Sequence, residues 1–379
     1  MIVKLKAKSK KISLFLLEDT LFVHSLYSYK LYAFKGLDAV LFLLLDEIED
    51  FKEFKKELQR RSIPFKKYQT TISFITTILK GEDKDSFSSG DEQIKHPHFI
   101  KAFLKEGYLF KNYFFLLKAE DKNLAKELKE VFNYLKVSIE DTKEYFEIRI
   151  KKDCSIFVNN IFEKKLSSKE EVVPFLYGLL RRLYLRDNNF LITLHAASIK
   201  YQNRIIVFPG ESGRGKSTLC AYFVATEDVS FFSDELTLVQ ENEQLTAIPL
   251  GIGIKEGSWP IFEKIIPNFQ SLATYIRFDK QKVKYYYNQN FAKDTSVKGA
   301  TFIFPLYLAS SKNSIKKIDI VTALKNIMRT QYYFSDLTDS SKVERWLNIL
   351  SSCSFYTLEY SSLKEAKKLI KKVLKNEEV

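Results

Sequence analysis

The sequence predicts an α/β fold preceded by a small α+β unit, on three observations. From residue 190 onward, short β-branched runs alternate with helical ones: Phe190–Leu194, Arg204–Phe208, a helix from Lys216, then Val229–Phe232. That alternation is the pattern of α/β architecture. Before residue 80, short strands are followed by helices. Between these regions, residues 81–98 carry Glu82, Asp83, Asp85, Ser86, Ser88, Ser89, Gly90, Asp91 and Glu92 with almost no apolar residue, and read as a linker. A chain of 379 residues suits two or three domains rather than one.

Residues 1–80 break down as follows. Ile12–Leu17 and Thr20–His24 read as strands meeting at Glu18-Asp19, and Tyr32–Phe34 as a third. Gly36 opens an apolar helical run, Leu37–Ile48. Asp50–Arg61 follows with Phe51, Phe54 and Leu58 on one face, then Tyr68–Leu79. Strands followed by three helices suggest a winged-helix arrangement. Residues 99–189 mix strands (Tyr113–Leu117, Glu147–Ile150) with helices (Leu124–Leu135, Val172–Tyr184), the last ending in Arg181, Arg182 and Arg186. Residues 190–379 hold the α/β core and close on an amphipathic helix, Leu363–Leu374, with lysines on its outer face.

Composition bounds the function. The hydrophobic share is 45%, with 32 Phe and 21 Tyr, enough for packed cores. Cys154, Cys220 and Cys353 are scattered, which excludes a disulfide scaffold and a cysteine zinc site and fits a reducing compartment. His96 and His98 flank Pro97, but no third ligand accompanies them. The longest apolar run, Ala39–Leu45, stops at Asp46, far short of a membrane span. No secretory signal is visible, so a soluble, cytoplasmic protein is expected. The net charge of +13 admits nucleic acid, an anionic membrane or an acidic peptide as partner. Its lysines are spread over the chain and not interleaved with aromatics, so a solvated surface is the preferred reading and nucleic acid is not the expected partner.

The chemistry concentrates in Gly210-Glu211-Ser212-Gly213-Arg214-Gly215-Lys216-Ser217, which fits G-x-x-x-x-G-K-[ST] at every fixed position. The β-branched run Arg204–Phe208 precedes it and an apolar helix follows from Thr218. Glycines let backbone amides curl around phosphate oxygens, and the helix N-terminus adds partial positive charge. Gly210, Ser212, Gly213, Arg214, Gly215 and Thr218 are the expected nucleotide contacts. Lys216 would reach the β- and γ-phosphates of ATP, and Ser217 would ligate Mg²⁺. A phosphate loop needs an acid on the metal side. Asp234 and Glu235 follow an apolar strand and sit where ligands bind in open α/β sheets. Asp234 is expected to accept a proton from an attacking hydroxyl, and either acid could hold Mg²⁺. His195, at the end of Phe190–Leu194, is either a core histidine or a site residue. Gly251, Gly253 and Gly257 mark either a glycine-rich turn or backbone passing close to a ligand, with Lys255 available to the substrate phosphate.

These residues resemble the HPr kinase/phosphorylase superfamily, especially its short relatives in modified-peptide (RiPP) biosynthesis. The order is Leu194-His195-Ala196-Ala197-Ser198, the glycine loop, Phe232-Ser233-Asp234-Glu235, Ile254-Lys255-Glu256-Gly257-Ser258, the Phe304-Pro305-Leu306-Tyr307 strand end and the Phe355–Tyr360 strand with its helix, over about residues 105–375. The resemblance implies a P-loop kinase core of phosphoenolpyruvate-carboxykinase type, transfer of phosphate from ATP to a serine hydroxyl, Asp234 as catalytic acid/base, His195 in support, and a homo-oligomer. Glu235 stands where the family has a second aspartate, Leu306 stands where a charged residue is common, and the phosphorylase signature is missing. These departures leave the reverse reaction and HPr as acceptor outside the expectation. Leu31-Tyr32-Ala33-Phe34-Lys35-Gly36-Leu37-Asp38-Ala39 with Leu43-Leu44-Leu45-Asp46 resembles the winged-helix peptide-binding domains of the pyrroloquinoline-quinone chaperone (PqqD-like) type. That implies a precursor peptide held at a sheet edge. The expected function is therefore an ATP-dependent kinase for a serine hydroxyl of a peptide or protein. The alternatives are a small-molecule kinase for free serine or a similar hydroxyl compound, and a nucleotide-switched peptide- or DNA-binding protein.

Overall fold

The computed structural model describes residues 2–8, 12–17, 20–25, 30–48, 50–61, 63–80, 101–138, 145–187, 190–287, 290–330, 332–334 and 340–375. The linker expected at 81–98, with His96 and His98, lies outside them. Helices and mixed sheets run through the chain, which places it in the α/β class.

The N-terminal region is a four-stranded antiparallel meander, Ile2–Leu5, Ile12–Leu17, Thr20–Ser25 and Lys30–Lys35, followed by helices Leu37–Glu47, Phe51–Arg60 and Gln69–Lys80. The first strand was not among the expected elements, which began at Ile12. Asp50 caps the second helix by accepting from the backbone N–H groups of Lys52 (2.7 Å) and Glu53 (2.9 Å). Strand side chains alternate between two faces. Ile12, Leu14, Leu21 and Val23 pack under the three helices. Phe15, Leu17 and Phe22 point the other way, into a cluster with Leu191, Val207, Phe302 and Trp346. The two central strands of this sheet are thus buried on both faces and belong to the central core as much as to their own helices.

The middle region is a six-stranded sheet in the order Ile161–Lys165, Ser155–Val158, Phe146–Ile150, Tyr113–Ala119, Leu104–Phe110, Lys136–Val137. Helices Lys122–Phe132 and Val172–Asp187 share its core, which runs on into Leu238, Ile248 and Tyr285.

The last region carries a second six-stranded sheet, ordered Val229–Ser233, Ala196–Tyr201, Arg204–Pro209, Thr301–Tyr307, Ser354–Tyr360, Ser314–Lys317. Arg204–Pro209, Thr301–Tyr307 and Ser354–Tyr360 are parallel neighbours, so their carboxyl ends share one edge. Val229–Ser233 runs in the same direction, since both it and Arg204–Pro209 are antiparallel to Ala196–Tyr201. Helices Lys216–Thr226 and Leu363–Leu374 cover one face, while Ile320–Met328 and Ser340–Ser351 contribute to the core on the other. A five-stranded sheet containing Phe190–Leu194 and a three-stranded sheet containing Ile252–Lys255 and Lys282–Tyr286 complete the region. Among the described residues no helix is long and apolar enough to cross a membrane.

Candidate functional site

Strand register assembles the site. Ala196 pairs with Pro209, which sets His195 beside Gly210; the Gly210 amide donates to the His195 carbonyl at 3.4 Å. Ser198 pairs with Ser233, which brings Asp234 to the same edge. The Gly210–Ser217 loop leaves the strand there and opens helix Lys216–Thr226. Gly213 and Gly215 have φ of 85° and 91°, in the left-handed region that favours glycine. A Cβ on Gly215 would stand 2.2 Å from the Tyr360 Oη. Instead, Tyr360 donates its hydroxyl proton to the Gly215 carbonyl at 3.1 Å and props the loop from the end of a strand two places along the same sheet.

Lys216 is buried at 5% exposure, and its Nζ donates to the Glu211 carbonyl at 2.9 Å. Burial lowers its pKa from 10.5 to about 8, helped by the charges of Lys255 and Arg277 and opposed by Asp234. Ser217 donates its hydroxyl proton to Asp234 Oδ1 at 2.7 Å. The backbone N–H of Gly253 donates to Asp234 Oδ2 at 3.2 Å. The glycine-rich segment is therefore a strand running close to Asp234, where a Cβ on Gly253 would meet Val283 at 3.3 Å. Lys255 reaches across to the Ser212 hydroxyl (3.4 Å), and Thr218 meets Ser258 at 3.0 Å.

These groups surround one cavity of about 1090 Å³. His195, Ser212, Gly213, Gly215, Lys216, Ser217, Thr218, Glu235 and Lys255 all line it. Gly210, Arg214 and Asp234 do not; Asp234 is buried at 4% exposure behind Ser217 and Gly253, which do line it. Arg214 turns outward to pair with Glu211 at 2.8 Å, so its contribution to the loop is its backbone. Burial, then the positive charges of Lys216, Arg277, Lys255 and Arg181, push the His195 imidazole down to about 4. It is neutral at physiological pH, a state suited to a hydrogen bond rather than to charge pairing.

The expectation that Glu235 shares the metal role of Asp234 does not match its contacts. Its Oε2 accepts from Arg181 at 2.9 Å and its Oε1 from Arg277. Both arginines line the cavity, and neither was foreseen as a site residue. Arg181 left a trace in the sequence: on helix Val172–Asp187 it shares a face with Tyr177 and Tyr184, both buried. Arg277, in the turn after Tyr275–Ile276, left none.

For Mg²⁺ the available donors are the hydroxyl of Ser217 and the carboxylate of Asp234, hard oxygens already in contact. A magnesium ion keeps several waters, so two protein oxygens suffice. The buried Lys216 and the loop amides are suited to phosphate. The chain matches no protein-family model and no curated protein sequence.

Proposed function

We propose that the chain is an ATP-dependent kinase with a P-loop core of HPr-kinase type, transferring the γ-phosphoryl group to a serine hydroxyl of a peptide or protein. One observation carries the reading. The Asp234 carboxylate joins the Ser217 hydroxyl at the start of the loop helix, and Ser217 and the largely buried Lys216 line one cavity. That combination of a phosphate-type loop, a helix N-terminus and an adjoining carboxylate is suited to in-line phosphoryl transfer.

Phosphoryl transfer asks a protein for positioning and charge neutralisation rather than covalent chemistry. Lys216 and the amides around Gly213 and Gly215 would hold the β- and γ-phosphate oxygens. Ser217 and Asp234 would hold Mg²⁺, which when bound neutralises charge on those oxygens. Asp234 would take the proton of the acceptor hydroxyl as its oxygen bonds to phosphorus and the bond to the leaving β-phosphate oxygen breaks. Neutral His195 would orient the acceptor side by hydrogen bonding.

The N-terminal sheet supports a peptide acceptor. Lys30–Lys35 pairs only with Thr20–Ser25 among the described strands, so an extended precursor peptide of winged-helix, PqqD-like recognition could add there as a further strand. The test is incubation with ATP, Mg²⁺ and candidate peptides, read by mass spectrometry for a phosphate-sized mass gain. Free serine serves as the competing acceptor, and steeply salt-dependent binding to duplex DNA would favour the nucleotide-switched reading. Lys216→Ala should abolish transfer. Asp234→Asn should keep nucleotide binding and lose turnover, and full activity in that variant would refute the assignment.

A further inference from the structure

Two adjacent acids end strand Val229–Ser233, and they go separate ways. Asp234 has both oxygens engaged by Ser217 and Gly253. Glu235 takes a left-handed backbone, φ 68°, and its carboxylate goes to other partners. It lies between two guanidinium groups from distant elements: Arg181 on helix Val172–Asp187 and Arg277 after strand Tyr275–Ile276. Arg181 also donates from Nη2 to the Asp234 carbonyl at 3.3 Å, which ties the pair to the backbone of the proposed catalytic acid. The Nε of Arg277 lies 3.4 Å from Asp279 Oδ1.

Both guanidinium groups are largely withdrawn from water, with side-chain exposures of 15% and 14%, yet both line the cavity. Each carries five N–H donors in a planar fork. The Nε of Arg181 is buried with no hydrogen-bond partner among the described residues. A buried charged donor without a partner calls for an explanation. The cavity is lined by Arg181, Arg182, Lys216, Lys255, Arg277 and Lys364 against the carboxylates Glu235 and Asp279. A cleft lined mainly by one sign of charge attracts ions of the other.

The geometry points to a second oxyanion subsite in this cavity, built by Arg181 and Arg277 with Glu235 as their positioning residue, so that Glu235 orients guanidinium groups and does not ligate metal. The ligand class is a phosphate or carboxylate. It has two sources, the terminal phosphate of the nucleotide or an anionic group on the acceptor side. The inference rests on the kinase reading, because it takes Lys216 and the glycine loop as the first phosphate site.

The test uses the full chain, with Glu235→Gln and Arg277→Lys as variants. MgATP, MgADP, and inorganic phosphate added to MgADP-loaded protein are titrated by calorimetry, with thermal melting to confirm folding. Losing a fork contact to an oxyanion weakens binding about 10- to 100-fold. Weaker MgATP binding with MgADP unchanged supports the subsite and assigns it to the nucleotide. Both nucleotides unchanged, with weaker inorganic phosphate, supports it and assigns it to the acceptor side. No change in any titration in folded variants overturns it. So does a rise in the Mg²⁺ concentration needed for nucleotide binding by Glu235→Gln, since that makes Glu235 a metal ligand. Should Glu235→Gln fail to fold, Arg277→Lys carries the same comparison. Wild type that binds neither nucleotide removes the kinase reading itself, which separates that failure from one confined to the arginine pair.

Discussion

Lys216 should make ligand binding depend on pH well below the range in which lysines ordinarily titrate. Burial sets its pKa at about 8 in the folded chain, against an ordinary 10.5. It is then about nine-tenths charged at pH 7, half at pH 8 and one-tenth at pH 9. An anion seated in the glycine loop favours the charged form, so binding near pH 8 should take up about half a proton. Affinity should fall up to about tenfold per pH unit above pH 8. The same shift acts on stability with the opposite sense. Between about pH 8 and pH 10.5 the unfolded chain holds the proton that the folded chain has lost, so the stability difference between wild type and Lys216→Met should move in favour of wild type as pH rises through that window. The full cost of keeping the charge buried, present below pH 8, is on the order of 3 kcal/mol. The assay is calorimetric titration of MgADP at pH 7, 8 and 9 in paired buffers of different ionisation heat, with Lys216→Arg as the variant that cannot deprotonate. Affinity that stays flat from pH 7 to 9 with no proton uptake would refute the argument.

Three further outcomes can be measured. Gly215→Ala should destabilise the fold by about 2–4 kcal/mol, from the left-handed backbone plus overpacking against Tyr360. Adding Tyr360→Phe should recover part of that loss, and strictly additive effects in thermal melts would contradict the 2.2 Å approach. His195, held near 4 by burial and then by the surrounding cations, should show a neutral imidazole by NMR throughout pH 5.5–8; a titration midpoint near 6.5 would place it outside the cationic cavity. Phe22→Ala should cost about 3–5 kcal/mol, because Phe22 is fully buried in the central cluster; a loss under about 1 kcal/mol would mean that the N-terminal sheet is not part of that core.

Local chemistry was legible in the order of residues. Glycines at fixed spacing before Lys216-Ser217, after a β-branched run, define a strand, a loop and a helix, because left-handed φ at Gly213 and Gly215 is a property of glycine itself. Asp234 follows an apolar strand, and an acid in that place emerges at the sheet edge, where its carboxylate meets Ser217. Leu14, Phe15 and Leu17 could be read as strand residues, and both faces of that strand are indeed buried.

What the order of residues could not supply was the partner across space. Phe15 and Phe22 share one buried cluster with Trp346, more than three hundred residues away in the chain, and no local pattern encodes that association. Glu235 looked equivalent to Asp234 because adjacent acids look alike in one dimension. The two separate because Glu235 takes a φ of 68° while Arg181 and Arg277 arrive from a helix and a turn that only the tertiary structure brings together. Backbone preference and hydrophobic period act between neighbours in the chain, and so the sequence by itself determined the loop, the helix that follows it and Asp234. Charge pairing acts between neighbours in space, and so the tertiary structure alone decided which acid faces the loop and which holds the arginines.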